Sequence, residues 1–352
     1  MESAPQILLE KRGSLGLVTL DRPRQLNALT LAMVRALHPQ LLRWADDADV
    51  KAVAIRANGG KAFCAGGDIR ALYDLKQAGQ LDEARAFWRE EYLLNRDIKR
   101  YPKPYVALIN GIVMGGGVGL AMHGSHRVAS ETFLFAMPEV GIGFFPDVGA
   151  TYLLPRLADA FGSYLAITGA RIRRGDAMAA GLATHAAPAA AFDGIVAALA
   201  AGASVDAALE AVTVAPEAAQ HAGEHALIAE VFSAGSVGEI LARLDRKAAD
   251  GSEFAAKAAA TMRQKSPTSM AIALEQVRRG AAMTFEEAMR AEFRVVSRIA
   301  EGHDFYEGVR AVIVDKDNAP RWRPARVEDV DPAAIAAHFV ALSDDLVFPG
   351  QT

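Results

Sequence analysis

Two acids define the chemistry this chain could do. In Met137-Pro138-Glu139-Val140-Gly141-Ile142-Gly143-Phe144-Phe145-Pro146-Asp147-Val148-Gly149, Glu139 and Asp147 stand eight positions apart among apolar residues and glycines. Apolar surroundings strip water from a carboxylate and raise its pKa, which makes a general acid or a poised base. The same residues fit a plainer arrangement: Glu139 as a solvated loop acid, and Asp147 as the cap of a helix over 148–154.

Two glycine-containing stretches bring a second kind of chemistry. Ala62-Phe63-Cys64-Ala65-Gly66-Gly67-Asp68 follows a strand-like run and leads into a helix. Small residues there let the backbone approach a ligand and turn N–H groups outward. Asn110-Gly111-Ile112-Val113-Met114-Gly115-Gly116-Gly117-Val118-Gly119 also joins a strand to a helix, whose first N–H groups suit an oxyanion or phosphate. An ordinary turn, or tight helix–strand packing, would use the same glycines. The dinucleotide pattern G-x-G-x-x-G/A fails, because Leu120 or Met122 stands at its last position, and no Gly-Lys-Ser/Thr follows.

Other candidates carry less. His221-Ala222-Gly223-Glu224-His225 has the H-x-x-E-H form of a metal motif, but nothing supplies an obvious third ligand, and a solvated helix face explains it. No metal site is expected. No G-x-S-x-G elbow occurs. Cys64 is the lone cysteine, so an internal disulfide and a cysteine-based metal cluster are excluded. It reads as a small packed residue, and His123 and His126 as packing residues.

The elements that must position these groups alternate in the first half. Ile7–Glu10 and Gly16–Leu20 read as a hairpin, and Thr30 caps a helix to Ala45 with Leu31, Val34, Leu37, Leu41 and Leu42 on one face. A strand over 50–56, a helical stretch over 68–100, a strand over 105–109 and strands over 127–129 and 133–136 follow. Such alternation implies an α/β layered fold. After Pro188 the chain is Ala-rich and favours helix, with Phe192, Ile195, Val196 and Leu199 as an apolar stripe. Ser266-Pro267 starts further helices, which run to Val314. A polar loop over 315–324 follows, and Asp331-Pro332 opens a last helix to Leu342.

The 352 residues are 51% hydrophobic and 23% charged, which excludes a disordered chain. Lys and Arg number 38 against 42 Asp and Glu, a net charge of −4, so no basic excess points to nucleic acid or an anionic membrane. Met1 to Leu9 has no leader-like pattern, and no apolar run reaches about 18 residues. The expectation is no membrane partner and a cytoplasmic protein.

Taken together, the motifs resemble the crotonase, or enoyl-CoA hydratase/isomerase, superfamily. The resemblance rests on Ala65-Gly66-Gly67-Asp68, then Asn110-Gly111 with Gly115-Gly116-Gly117, then Pro138-Glu139, and on the opening Leu20-Asp21-Arg22-Pro23 with Asn27-Ala28-Leu29. It spans nearly the whole chain and is weakest over 188–252. It implies a spiral of repeated ββα units with C-terminal helical additions: a core over 1–187, an Ala-rich helical segment over 188–265, and a helical region over 266–352 that covers the site.

The resemblance further implies an acyl-CoA substrate whose thioester carbonyl is held by the N–H groups of Gly67 and Gly116. Ala65, Gly66, Asp68, Ile69 and Gly115 would lie along the CoA. No cofactor beyond the CoA of the substrate is implied, and a homo-oligomer is allowed. Hydratases of the superfamily use two glutamates; Glu139 fills one position, and Gly119 stands at the other. The pair Glu139 and Asp147 instead matches members that hydrolyse short 3-hydroxyacyl-CoA thioesters, such as 3-hydroxyisobutyryl-CoA in valine breakdown. Glu139 would attack the thioester or activate a water, and Asp147 would bind the 3-hydroxyl or assist the leaving thiolate. An enoyl-CoA hydratase or isomerase and a non-catalytic CoA-binding protein are the alternatives.

Overall fold

The structure, a computed structural model, describes residues 5–349. Residues 1–4, on which part of the leader reading rests, lie outside the described residues. The chain forms two compact units, one of residues up to 68 with 93–135 and 172–220, the other of 69–92, 136–171 and 221 onward. These limits cut across the sequence ranges 1–187, 188–265 and 266–352.

The first unit is built on two sheets. Strands β1 (Ile7–Arg12) and β2 (Leu15–Leu20) form an antiparallel hairpin around Gly13-Ser14. Gly13 takes φ +54°, so the turn needs only two residues and the strands run longer than the sequence suggests. The other strands are β3 (Ala52–Ala57), β4 (Ala62–Cys64), β5 (Tyr105–Ile109), β6 (Ile112–Met114), β7 (His126–Ala129), β8 (Leu134–Ala136), β9 (Ile172–Arg173) and β10 (His185–Ala186). The larger sheet has the order β1-β2-β3-β5-β7-β10 and the smaller β4-β6-β8-β9. From β2 onward the larger sheet is parallel, and β2 and β5 are buried along their whole length. Parallel strands covered on both faces read as continuous apolar runs, which is why their existence was legible.

Helices cover this sheet. The Ala-rich helix Phe192–Ala200 lays Phe192, Ile195, Val196 and Leu199 on Leu15, Leu17, Ala54, Val106 and Leu108. Each fully buried side chain of this size stabilises by about 1.5–3 kcal/mol. In the helix Leu31–Asp46, Thr30 Oγ1 accepts from Met33 N, and Met33, Val34, Leu37, Leu41 and Trp44 are buried. Leu42 is 48% exposed, against the sequence expectation. It sits one residue, about 100° of helical turn, past the buried Leu41.

The second unit is mostly helical. The helical stretch expected over 68–100 is two helices, Ile69–Gln77 and Leu81–Lys99, broken at Gly79 with φ +74°. Ser266 caps the helix Pro267–Gly280, with Pro267 in its first turn. The helix Phe285–Ile299 opens with a capping box between Thr284 and Glu287. Asp331 caps a last helix, Pro332–Ala337, which ends before the expected Leu342. No helix among the described residues is long and apolar enough to cross a membrane.

Candidate active site

The first unit places the glycine motifs side by side. Strands β4 and β6 pair in parallel, so the segments leaving their C-terminal ends are neighbours. The strand β6 was hidden in the sequence, where its three residues are flanked by glycines. Beyond β4 the backbone is fixed by three hydrogen bonds: Ala65 N donates to Leu26 O at 3.1 Å, Leu29 N to Gly66 O at 2.9 Å, and Asp68 N to Leu29 O at 2.8 Å. Arg22 Nη2 also donates to the Asp68 carboxylate at 3.0 Å. Gly66 takes φ +117°, a conformation open to glycine. The Gly67 N–H meets no backbone carbonyl among the described residues.

Beyond β6, Gly115 is the N-cap of the helix Gly116–Ala121. Gly116 is its first residue, and the first N–H groups of a helix have no intrahelical partner. The two segments touch: a Cβ on Gly117 would lie 2.3 Å from Cys64 O. Gly117→Ala is therefore expected to lose roughly 1–3 kcal/mol of stability through overpacking. Urea unfolding reads this directly, and a variant as stable as the parent would show that the contact is not tight. Cys64 is buried, with Sγ 3.4 Å from Gly66 O, as its packed reading requires. A Cβ on Gly119 would lie 2.6 Å from Nδ2 of the buried Asn95.

The second unit holds the carboxylates. Glu139 opens a 3-10 turn, Glu139–Ile142, onto which the helix Asp304–Val309 packs directly. A Cβ on Gly143 would lie 2.1 Å from Asp304 O, and one on Gly308 would lie 2.3 Å from the Ile142 carbonyl carbon. Ser266 reinforces the arrangement: its N–H donates to Val140 O at 3.1 Å and its Oγ to Asp304 at 2.7 Å. Glu139 is 7% exposed, and its Oε2 accepts no hydrogen bond from the protein. Burial, and then the charge of Asp147, push its carboxyl well above the ordinary glutamate value.

Asp147 is neither solvated nor a cap. It is 5% exposed, and the helix after it, Ala150–Leu153, begins at Gly149 with no side-chain cap. Instead Tyr92 Oη donates to Asp147 Oδ2 at 2.9 Å. Burial pushes the Asp147 carboxyl up to about 7, against the pull of that hydroxyl. The plainer sequence reading of both acids is thus overturned.

Four residues of the second unit that sequence reasoning missed, Glu91, Tyr92, Gln276 and Glu292, join these acids. Glu91, beside Tyr92 on the helix Leu81–Lys99, is buried with Oε1 unbonded, and burial, Asp147 and Glu292 raise its pKa. Gln276 Nε2 donates to Pro146 O. Glu292 accepts from the N–H groups of Gly149 and Thr151, each at 2.8 Å. One signal was available: Glu91 and Tyr92 follow Trp88 by three and four residues, the spacing of one helix face. Burial raises the pKa of all four carboxyls, and the charge of Asp147 raises those of Glu91, Glu139 and Glu292 further.

The remaining candidates lie elsewhere. Ala65, Gly66, Asp68 and Gly115 lie with Gly67 and Gly116 in the first unit, and Ile69 opens the first helix of the second. His221 packs among Phe161, Tyr164 and Phe254, and no group of three or more metal-ligating side chains occurs among the described residues.

The family model described as enoyl-CoA hydratase/isomerase matches residues 15–339. The chain belongs to the enoyl-CoA hydratase/isomerase family. Among its relatives, the Rattus norvegicus protein named 3-hydroxyisobutyryl-CoA hydrolase, mitochondrial, is 46% identical over 97% of this chain and 91% of its own length. The Homo sapiens protein of the same name is 43% identical over 99% and 92%. Among solved structures, a carnitinyl-CoA dehydratase from Mycobacterium thermoresistibile matches with TM-score 0.93 and 41% identity, covering 98% of this chain and 99% of that one. An enoyl-CoA hydratase from Rhodobacter sphaeroides matches with TM-score 0.91 and 41% identity, covering 98% and 100%. The α/β crotonase-like fold expected from the motifs is therefore the fold of this enoyl-CoA hydratase/isomerase family member.

Proposed function

We propose that this family member hydrolyses the thioester of 3-hydroxyisobutyryl-CoA, or of a closely related short 3-hydroxyacyl-CoA, to the free acid and CoA, in valine breakdown. The observation that carries the proposal is the buried pair Glu139 and Asp147, with Gly119 where hydratases of the family place a glutamate. The names of the rat and human relatives support it. The solved neighbours are titled as a dehydratase and a hydratase, and that second reading would rest on Glu139 with Asp147 as its partner. Gly119 offers no carboxylate, and a side chain there would collide with Asn95.

In this reading the N–H groups of Gly67 and Gly116 receive the thioester oxygen. Such preorganised donors stabilise the developing oxyanion, by about 2.7–4 kcal/mol for one donor in a protease. Ala65, Gly66, Asp68, Ile69 and Gly115 lie along the CoA. Glu139 attacks the carbonyl carbon to give a mixed anhydride, or takes a proton from the attacking water. Asp147 binds the 3-hydroxyl or gives the departing thiolate its proton. No cofactor takes part, and CoA belongs to the substrate. We keep the cytoplasm as the proposed compartment, beside relatives named mitochondrial. A homo-oligomer is compatible with the reading, and light scattering on the purified chain decides it.

The test is a free-thiol assay with 3-hydroxyisobutyryl-CoA, isobutyryl-CoA and crotonyl-CoA. Thiol appears with the first, and the enone absorbance of crotonyl-CoA persists. Loss of that absorbance without thiol release overturns the proposal in favour of a hydratase. Saturable CoA binding with no turnover favours a binding protein. The pH profile adds a second check. Glu139 must be ionised to act, and its pKa lies well above 4.5, so kcat/KM falls on acidification well before ordinary carboxylates protonate. A flat profile down to about pH 5 contradicts the role given to Glu139.

A further inference from the structure

We infer that Glu292 is a positioning residue for this reaction: its carboxylate clamps the turn after Asp147 and so fixes the Asp147 side chain in its working orientation. The inference rests on the proposed hydrolysis and adds a component to it.

The turn needs a clamp. Val148 takes φ +53° and Gly149 φ +92°, two successive left-handed residues immediately after Asp147. For the β-branched Val148 this conformation is unfavourable, and it persists only where the surroundings over-determine it. The hydrogen bonds around the turn do so. Gln276 holds Pro146 O, Tyr92 holds Oδ2 of Asp147, and Ala150 N donates to Asp147 O at 3.0 Å. Only Glu292 among these takes two backbone groups at once, one on each oxygen. It is 0% exposed, on the helix Phe285–Ile299, so water does not compete for either bond.

The chemistry of the clamp is specific to a carboxylate. Both Glu292 oxygens accept a backbone N–H. Burial, and then the Asp147 charge, push its pKa up to about 8 against the pull of these bonds. An amide offers one acceptor and one donor. Glu292→Gln keeps the size but sets an N–H against a backbone N–H. Glu292→Asp keeps the carboxyl but is one methylene shorter, so it retains one of the two bonds. Around Asp147, Glu91 and Tyr92 come from the helix Leu81–Lys99, Glu139 from its turn, and Glu292 from its own helix.

A double-mutant cycle on the full chain tests the inference. Glu292→Gln lowers kcat for 3-hydroxyisobutyryl-CoA by about 10²-fold, the loss expected when a reacting group is displaced by about 1 Å, with KM nearly unchanged. Glu292→Asp falls between it and the parent. In an Asp147→Asn background Glu292→Gln has little further effect, because it acts through Asp147. An equal further loss in that background, or a lowered melting temperature with parental kcat, overturns the inference and leaves the hydrolase reading standing. If Glu292→Gln does not fold, Glu292→Asp carries the same cycle. Absence of thiol release from the parent protein overturns the hydrolase reading, and the inference with it.

Discussion

Glu139→Gln loses thiol release from 3-hydroxyisobutyryl-CoA by at least about 10³-fold and still binds CoA. A positioned general base contributes roughly 10²–10⁴-fold, and a nucleophile that forms the intermediate contributes no less. Glutamine keeps the size of the side chain but can neither attack a carbonyl nor take a proton from water. Oε2 of Glu139 accepts no hydrogen bond from the protein, so an amide nitrogen in its place breaks no bond, and the amide oxygen can keep the backbone N–H that the carboxyl accepts. It also removes a carboxyl whose charge burial disfavours. The variant therefore folds at least as stably as the parent, and the loss belongs to chemistry rather than to structure. Equilibrium CoA binding and single-turnover thiol release on the same preparation separate the two. Release at the parental rate would remove Glu139 from the mechanism. In a single turnover of the parent in ¹⁸O-water, label found in the protein marks the covalent route. Attack by Glu139 breaks the C–S bond and joins the acyl group to its carboxylate. Hydrolysis of that anhydride at the Glu139 side leaves label in the protein, whereas direct attack by water labels only the product.

The legible parts of this molecule are those whose causes are local. The stripe Phe192, Ile195, Val196 and Leu199 shows a helical period, and the helix buries that stripe on the larger sheet. The glycines at 66 and 117 were visible because a positive φ and a close approach each exclude a side chain at one position. Asp147 was ambiguous for the opposite reason. A capping aspartate and a buried catalytic one have the same neighbours in sequence. What separates them here is Tyr92, 55 positions earlier, and the turn that Glu292 holds from more than 140 positions later. Strand β6 escaped because three residues between glycines show no period. Leu42 was misplaced because an apolar residue at a stripe's edge does not say on which side it falls.

Asp147→Asn makes the protein more stable at pH 8 and less selective. The folded-state pKa is raised, from 3.8 to about 7, chiefly by burial. A raised pKa means that the folded protein holds the proton more tightly than the unfolded chain. The resulting stabilisation is complete below the unfolded value and is lost as pH rises through the folded one. Between about pH 4 and pH 7 the wild type thus gives up as much as ~4 kcal/mol through this one group. Asparagine carries no proton to lose and retains an oxygen for the Tyr92 hydroxyl. The variant should match or trail the parent at pH 4 and exceed it by a few kcal/mol at pH 8, as read by urea unfolding at both values. Equal stabilities at pH 8 would mean that Asp147 is not charged in a dry site. The same substitution alters substrate choice if Asp147 reads the 3-hydroxyl. A site built to bond a hydroxyl discriminates strongly against analogues lacking it, because its own polar group is then left unpaired. The ratio of kcat/KM for 3-hydroxyisobutyryl-CoA over isobutyryl-CoA should fall by at least about 10²-fold. An unchanged ratio with a lowered kcat for both substrates would assign Asp147 to the leaving thiolate. The stability gain and the loss of selectivity would then share one cause: a carboxylate kept out of water at the expense of stability, because only there does a single hydroxyl decide which thioester is cleaved.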